Sequence, residues 1–186
     1  NGYTYIANPQ ILSDNKINQK GQRIFYTYTA IPQSIGADSI PYITIMQVNK
    51  VLTKEPVFVE DNDAKDYGTD PIEISGQSIS KAHLNLRYTF LNGGNHLIPH
   101  SISLLIAKDA QPDARGYLSA ELRHDAADDL QLNANSGYVS FTLENMPGFK
   151  EGTLKGFKIK TKTIKNETDI VEVTMNNNRK SMNFNI

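Results

Sequence analysis

The stretch His83-Leu84-Asn85-Leu86-Arg87-Tyr88-Thr89-Phe90 decides the fold. Leu84, Leu86, Tyr88 and Phe90 alternate with polar residues, and a two-residue period is what a strand with one buried face requires. Asn92-Gly93-Gly94-Asn95 then supplies a turn. The period returns downstream in Ile102, Leu104 and Ile106, in Leu118, Ala120 and Leu122, and in Val139, Phe141 and Leu143. Phe157, Ile159, Thr161 and Thr163 share a face opposite Lys158, Lys160 and Lys162, and Val171, Val173 and Met175 align last. Strands of this kind, separated by turn residues, predict an antiparallel β-sandwich with one wet face per sheet. Helical spacing is confined to short pieces near Asp125–Leu130 and Ser78–Ala82.

Upstream, the pattern is broken. Gln22–Thr29, Tyr42–Leu52 and Val57–Val59 are rich in β-branched and aromatic residues, but Pro32, Gly36, Pro41 and Pro56 interrupt them. The polar, acidic run from Glu60 to Asp70, followed by Pro71, is the best internal boundary. It divides the chain into an N-terminal domain over 1–68 and a C-terminal domain over 69–186.

Bulk properties narrow the function classes. A net charge of −1 gives no electrostatic reason to seek nucleic acid, which is bound by clustered Lys and Arg. No window approaches the roughly 18 apolar residues of a membrane span. The absence of cysteine removes disulfides, thiolate nucleophiles and Cys-based zinc sites together. The start at Asn1 reads as a processed product, with any signal peptide or lipid-attachment cysteine lying upstream.

Two stretches together resemble the NigD-like proteins, lipoproteins of Bacteroides-type bacteria. One is Ile6-Ala7-Asn8-Pro9-Gln10-Ile11-Leu12 with Lys20-Gly21-Gln22-Arg23-Ile24-Phe25-Tyr26-Thr27-Tyr28. The other is Glu121-Leu122-Arg123-His124-Asp125-Ala126-Ala127-Asp128-Asp129 with Gly137-Tyr138-Val139-Ser140-Phe141-Thr142-Leu143. The chain departs from the family's pattern at Asp125 and Ala127, where an Asn-Gly-Asp-like sequence is expected. The resemblance implies an all-β chain, with a small OB-like β-barrel followed by a β-sandwich. It also implies a lipid-anchored cell-envelope protein in the periplasm or at the outer membrane, with an immunity role against a bacteriocin as one suggestion.

No residue constellation spells out a reaction. His124 with Asp125, Asp128 and Asp129 invites a metal or hydrolase reading. Zinc, however, needs three or four converging ligands, usually with a short-spaced pair, and no His-x-His or His-x-x-x-His occurs. A strand end whose Arg123, His124 and Asp125 bond a neighbouring loop is the favoured reading. Asp61, Asn62, Asp63 and Asp66 lack the Gly and the bidentate Glu of a calcium loop. Glu121 and Glu144 form no recognisable carboxylate pair, and Ser101, Ser103 and Ser119 sit in no nucleophile elbow. The lysine face reads as a solvated or edge-protecting surface, and Asn166-Glu167-Thr168 as a surface turn.

The expectation is therefore a non-catalytic envelope module without metal or cofactor, binding a protein or glycan partner. Its membrane attachment would be only through an upstream lipid anchor. The alternative is a hydrolase with a site near His124 and Asp125, in a crevice between the two domains.

Overall fold

A computed structural model describes residues 3–18, 22–31, 42–60, 67–80, 82–94, 97–175 and 182–184. The calcium-loop candidates Asp61, Asn62, Asp63 and Asp66 lie outside them. The first elements are β1 (Tyr3–Ala7), α1 (Pro9–Asp14), β2 (Ile24–Ala30), β3 (Tyr42–Lys50), β4 (Leu52–Lys54) and β5 (Val57–Val59). Then follow β6 (Ile72–Ser80), β7 (His83–Asn92), β8 (Ser101–Ala107), β9 (Tyr117–Asp125) and β10 (Asn133–Thr142). Last come β11 (Gly156–Lys162), β12 (Thr168–Thr174) and β13 (Met182–Phe184).

The chain forms two compact units, residues 1–52 with 177–186, and residues 53–176. In the first, the sheet order is β13-β1-β3-β2, and β1 runs parallel to both of its neighbours. No pairing joins β13 to β2 among the described residues. Leu12 and Ile17 pack with Ile43, Ile45 and Val48 of β3, with Ile24 and Tyr26 alongside. The helix over 9–14 was not expected from periodicity, because six residues are too few to display it. Pro9 at its start supplies a preset helical φ. Asn8 does not cap it, since its side-chain oxygen instead accepts the Ile45 amide at 3.1 Å and ties the turn to β3.

The second unit is a sandwich. One sheet has the order β4-β10-β7-β6 and the other β12-β11-β9-β8-β5. Leu84, Leu86 and Tyr88 of β7 and Val139 and Phe141 of β10 meet Ile102, Leu104 and Ile106 of β8, Leu118 and Leu122 of β9, and Phe157 and Ile159 of β11. These are the residues whose alternation was legible. The pairing is mixed, because β9 and β11 run parallel, as do β5 and β8. The cause is the crossover: β10 lies in the opposite sheet from β9 and β11, so the chain returns to its own sheet in the original direction.

Both expected helical pieces of this unit are something else. Ser78–Ser80 ends β6, and residues 126–130 form a turn in which Ala127 (φ 51°) and Asp128 (φ 61°) take left-handed conformations that no α-helix contains. The acidic stretch 60–70 falls within the span of the second unit, since Val57–Val59 pairs with Leu105–Ala107 of β8. No helix among the described residues is long and apolar enough to cross a membrane.

Candidate functional site

Alternation on β9 extends beyond its aliphatic residues. Leu118, Ala120 and Leu122 point into the core, and the same parity sends His124 inward, where it is 1% exposed. β8 pairs antiparallel with β9 so that Ile102 faces His124 and Ser101 faces Asp125. His100, one residue ahead of β8, therefore stands beside His124, with His100 Nδ1 and His124 Nε2 2.9 Å apart.

The contact continues at both ends. His124 Nδ1 donates to the Pro71 carbonyl at 3.0 Å, and His100 Nε2 meets Asp129 Oδ2 at 3.1 Å. Asp129 also accepts the Gly93 amide at 2.8 Å and the Leu130 amide at 2.8 Å. Phe90 of β7 presses edge-on against both imidazoles, with ring centroids 5.1 Å from His100 and 5.4 Å from His124. The Gly93 amide does most to hold the Asp129 carboxyl below its ordinary value of 3.8, with His100 and Leu130 adding to the effect against burial. Burial pushes His124 below its ordinary 6.5, and the Pro71 contact offsets only part of that.

A ring of main-chain bonds fixes the surroundings. Asp70 accepts the Ala126 amide at 2.8 Å and the Gln131 side chain at 3.1 Å, while its own amide donates to the His124 carbonyl at 3.0 Å. Arg123 Nη1 donates to the Gly68 carbonyl at 3.1 Å. Gly68 has φ +71°, and a Cβ there would collide with the His124 carbonyl and with Asp125, so this close approach admits only glycine. Asp125 accepts the amide of Ala127 at 2.8 Å within its own turn.

Of the residues singled out in sequence, the structure brings together His124 and Asp129, through His100. Asp125 and Asp128 take no part. The reading of a strand end bonded to a neighbouring loop matches the contacts of His124 and Arg123 with the 68–71 segment. What it missed is His100. The signal was available, because a hairpin placing Ile102 and Leu122 on one face also places His100 and His124 there. The proline before His100 and the break in apolar pattern hid it.

The arrangement has limited chemical reach. His124 is enclosed, and both nitrogens of His100 are engaged. Among the described residues, no serine or threonine hydroxyl is hydrogen-bonded to this array. Asp129, His100 and His124 run in a line rather than converging, and no metal-holding group of three acidic, His or Cys side chains occurs among the described residues. The lysine face is knitted to neighbouring groups: Lys158 to Asp113 at 2.7 Å, Lys160 to Glu121 at 3.5 Å, and Lys162 to the Thr69 carbonyl at 3.1 Å. Asp113 is drawn down to about 2, first by Lys158 and then by the Tyr117 amide. Around the array, Leu130 is 64% and Leu132 70% exposed, and Leu97 is 89% exposed in the connection that ends at His100.

Comparison with known proteins agrees with this architecture. A toxin-related protein from Parabacteroides distasonis, so described, superimposes with a TM-score of 0.70 at 25% identity, covering 94% of this chain and 81% of its own. A NigD-like immunity protein from Bacteroides caccae gives 0.59 at 16% identity, covering 81% and 71%. A Bacteroides fragilis protein described as a lipoprotein gives 0.63 at 10% identity, covering 94% and 89%. The last two likenesses concern the fold alone. A comparison with curated proteins finds no match. The family model of the NigD-like C-terminal beta sandwich domain matches residues 55–175, the span of the sandwich from β5 to β12. That match covers well over half of the sequence, and the chain belongs to the NigD-like family.

Proposed function

We propose that this chain is a non-catalytic module of the cell envelope that binds a protein partner, with immunity against a locally produced toxin as the role to test first. The observation that carries this reading is the fate of its reactive side chains. His100, His124 and Asp129 are spent on joining connections at one end of the sandwich, and Lys158, Lys160 and Lys162 on bonding neighbouring groups, whereas Leu130 and Leu132 stand exposed beside that array. Aliphatic side chains on bonded loops suit contact with a protein. A glycan partner is the alternative, although the absence of tryptophan removes the ring best suited to stacking on sugar. The immunity and envelope aspects rest on the names carried by the Bacteroides caccae and Bacteroides fragilis structures. The reading also takes unit 1 as the OB-like module implied by the resemblance.

Deleting the gene should raise sensitivity to a toxin encoded nearby. The wild-type gene should restore resistance, and a Leu130→Asp, Leu132→Asp double variant that remains folded should not. Unchanged sensitivity on deletion would remove the immunity role. Recovery of the protein from the soluble cytoplasm, rather than from envelope fractions, would remove the location.

A further inference from the structure

The donors and acceptors along Asp129, His100 and His124 fix how many protons the array holds. The Pro71 carbonyl can only accept, so His124 Nδ1 carries hydrogen, and a neutral His124 then presents a bare Nε2. At the other end Asp129 is an acceptor already holding two backbone amides. His100 stands between two acceptors, at 2.9 and 3.1 Å. A neutral imidazole has one N–H for the two of them. Only with both nitrogens protonated does His100 satisfy each neighbour, and the carboxylate of Asp129 then balances its charge.

A further proton would have to enter at His124 Nε2. That would set N–H against N–H at 2.9 Å and two cations at a ring separation of 5.0 Å. The charged groups facing the array come from several elements. Asp129 lies in the β9–β10 connection, Asp70 ahead of β6, and Asp125 at the end of β9. β7 contributes the uncharged Phe90. Asp70 and Asp125 favour a charge on His124, and both are engaged by backbone amides of the turn. Arg123, on the opposite face of β9, is held by Gly68 and Glu121.

The clasp joins two connections. His100 and Gly93 flank the one between β7 and β8, and Asp129 and Leu130 belong to the one between β9 and β10. We propose that Asp129, His100 and His124 form an acid-released clasp, which shares one proton beyond two neutral rings, holds these connections together at neutral pH and parts them when another proton enters. The connections it joins carry the exposed Leu97, Leu130 and Leu132, so its opening would rearrange that surface.

Nitrogen-15 NMR of the full chain tests this without a variant. At pH 7 the four ring nitrogens of His100 and His124 should comprise three that bear hydrogen and one, His124 Nε2, that does not. On acidification the fourth should become protonated, and the amides of Gly93 and Leu130 should lose roughly tenfold or more of their exchange protection while core amides such as that of Leu122 keep theirs. Two bare nitrogens at pH 7 would overturn the proton count. Protection of Gly93 and Leu130 that survives protonation of the fourth nitrogen would overturn the clasp.

Discussion

Burial is what makes His124 pH-sensitive. In the unfolded chain its imidazole titrates near the ordinary 6.5, whereas in the fold desolvation holds it lower. Below pH 6.5 the unfolded chain therefore binds a proton that the folded chain resists. By linkage this contribution to stability is fully present above that value and is lost as pH falls. Asp129, lowered from 3.8 chiefly by the Gly93 amide, adds a second loss as pH drops below its own ordinary value. Below pH 6.5 the urea midpoint should thus fall with pH, and His124→Gln should flatten that slope. A second residue-level prediction concerns Ala127, at φ 51°. Left-handed backbone costs an L-residue about 1–2 kcal/mol, while glycine loses roughly 0.5–1 kcal/mol of added chain entropy on folding. Ala127→Gly should accordingly stabilise the protein by about 0.5–1 kcal/mol in chemical denaturation. The departure from an Asn-Gly-Asp-like sequence was visible in the chain, but the conformation that penalises alanine was not. His124 was legible as a strand end, and its partner His100 was obscured because histidine carries no apolar signal for parity to extend.

Among the elements, the legible ones kept one parity from end to end. β7, β8, β9 and β11 each do so, and each was readable. β6 does not, since its pairing with β7 shifts register between Ile74 and Gly76, and the inward positions pass from Ile72 and Ile74 to Ile79. A bulge of this kind erases the alternation on which a strand is recognised. β6 is nonetheless held firmly to the opposite sheet: buried Thr161 of β11 donates its hydroxyl to the Ile72 carbonyl at 2.5 Å. Thr161→Val keeps the shape and removes the donor, which should cost about 1–2 kcal/mol, read from a denaturation curve with unchanged slope. On the wet face of the same strand, Lys160 is 52% exposed at its side chain and lies 3.5 Å from Glu121. Lys160→Ala should change stability by no more than about 0.5 kcal/mol, since exposed pairs gain little over hydration. The contrast places the stability of β11 on its inner face.

At the scale of the molecule, the two units differ in how the chain closes them. Residues 53–176 form one continuous segment with a core drawn from both sheets of the sandwich, headed by Phe141, Phe157, Leu84, Leu104 and Leu118. The first unit is discontinuous, because β13 near the C-terminus pairs parallel with β1 near the N-terminus. Its apolar cluster is small, resting on Leu12, Ile17, Ile43, Ile45 and Val48. No local pattern could reveal that the last strand returns to the first, since a three-residue strand carries almost no periodicity and its partner lies far away in sequence. The acidic run at 60–70 drew attention as a boundary by composition alone, while the two compact units divide between 52 and 53, within β4, the short strand that pairs with β10 and precedes β5. A segment with its own core and, but for Leu52 of β4, all the described strands of its two sheets has what it needs to fold alone. Residues 53–176 expressed alone should therefore give a single cooperative thermal transition and dispersed amide resonances. Full-length protein lacking 177–186 should keep that transition and lose the ordered signals of β1 and β3, because β1 is left as an edge with its outer hydrogen bonds unmade. Failure of the isolated segment to fold cooperatively would mean that the sandwich depends on residues outside it. Retention of β1 order after truncation would mean that the C-terminal strand contributes nothing to the first unit.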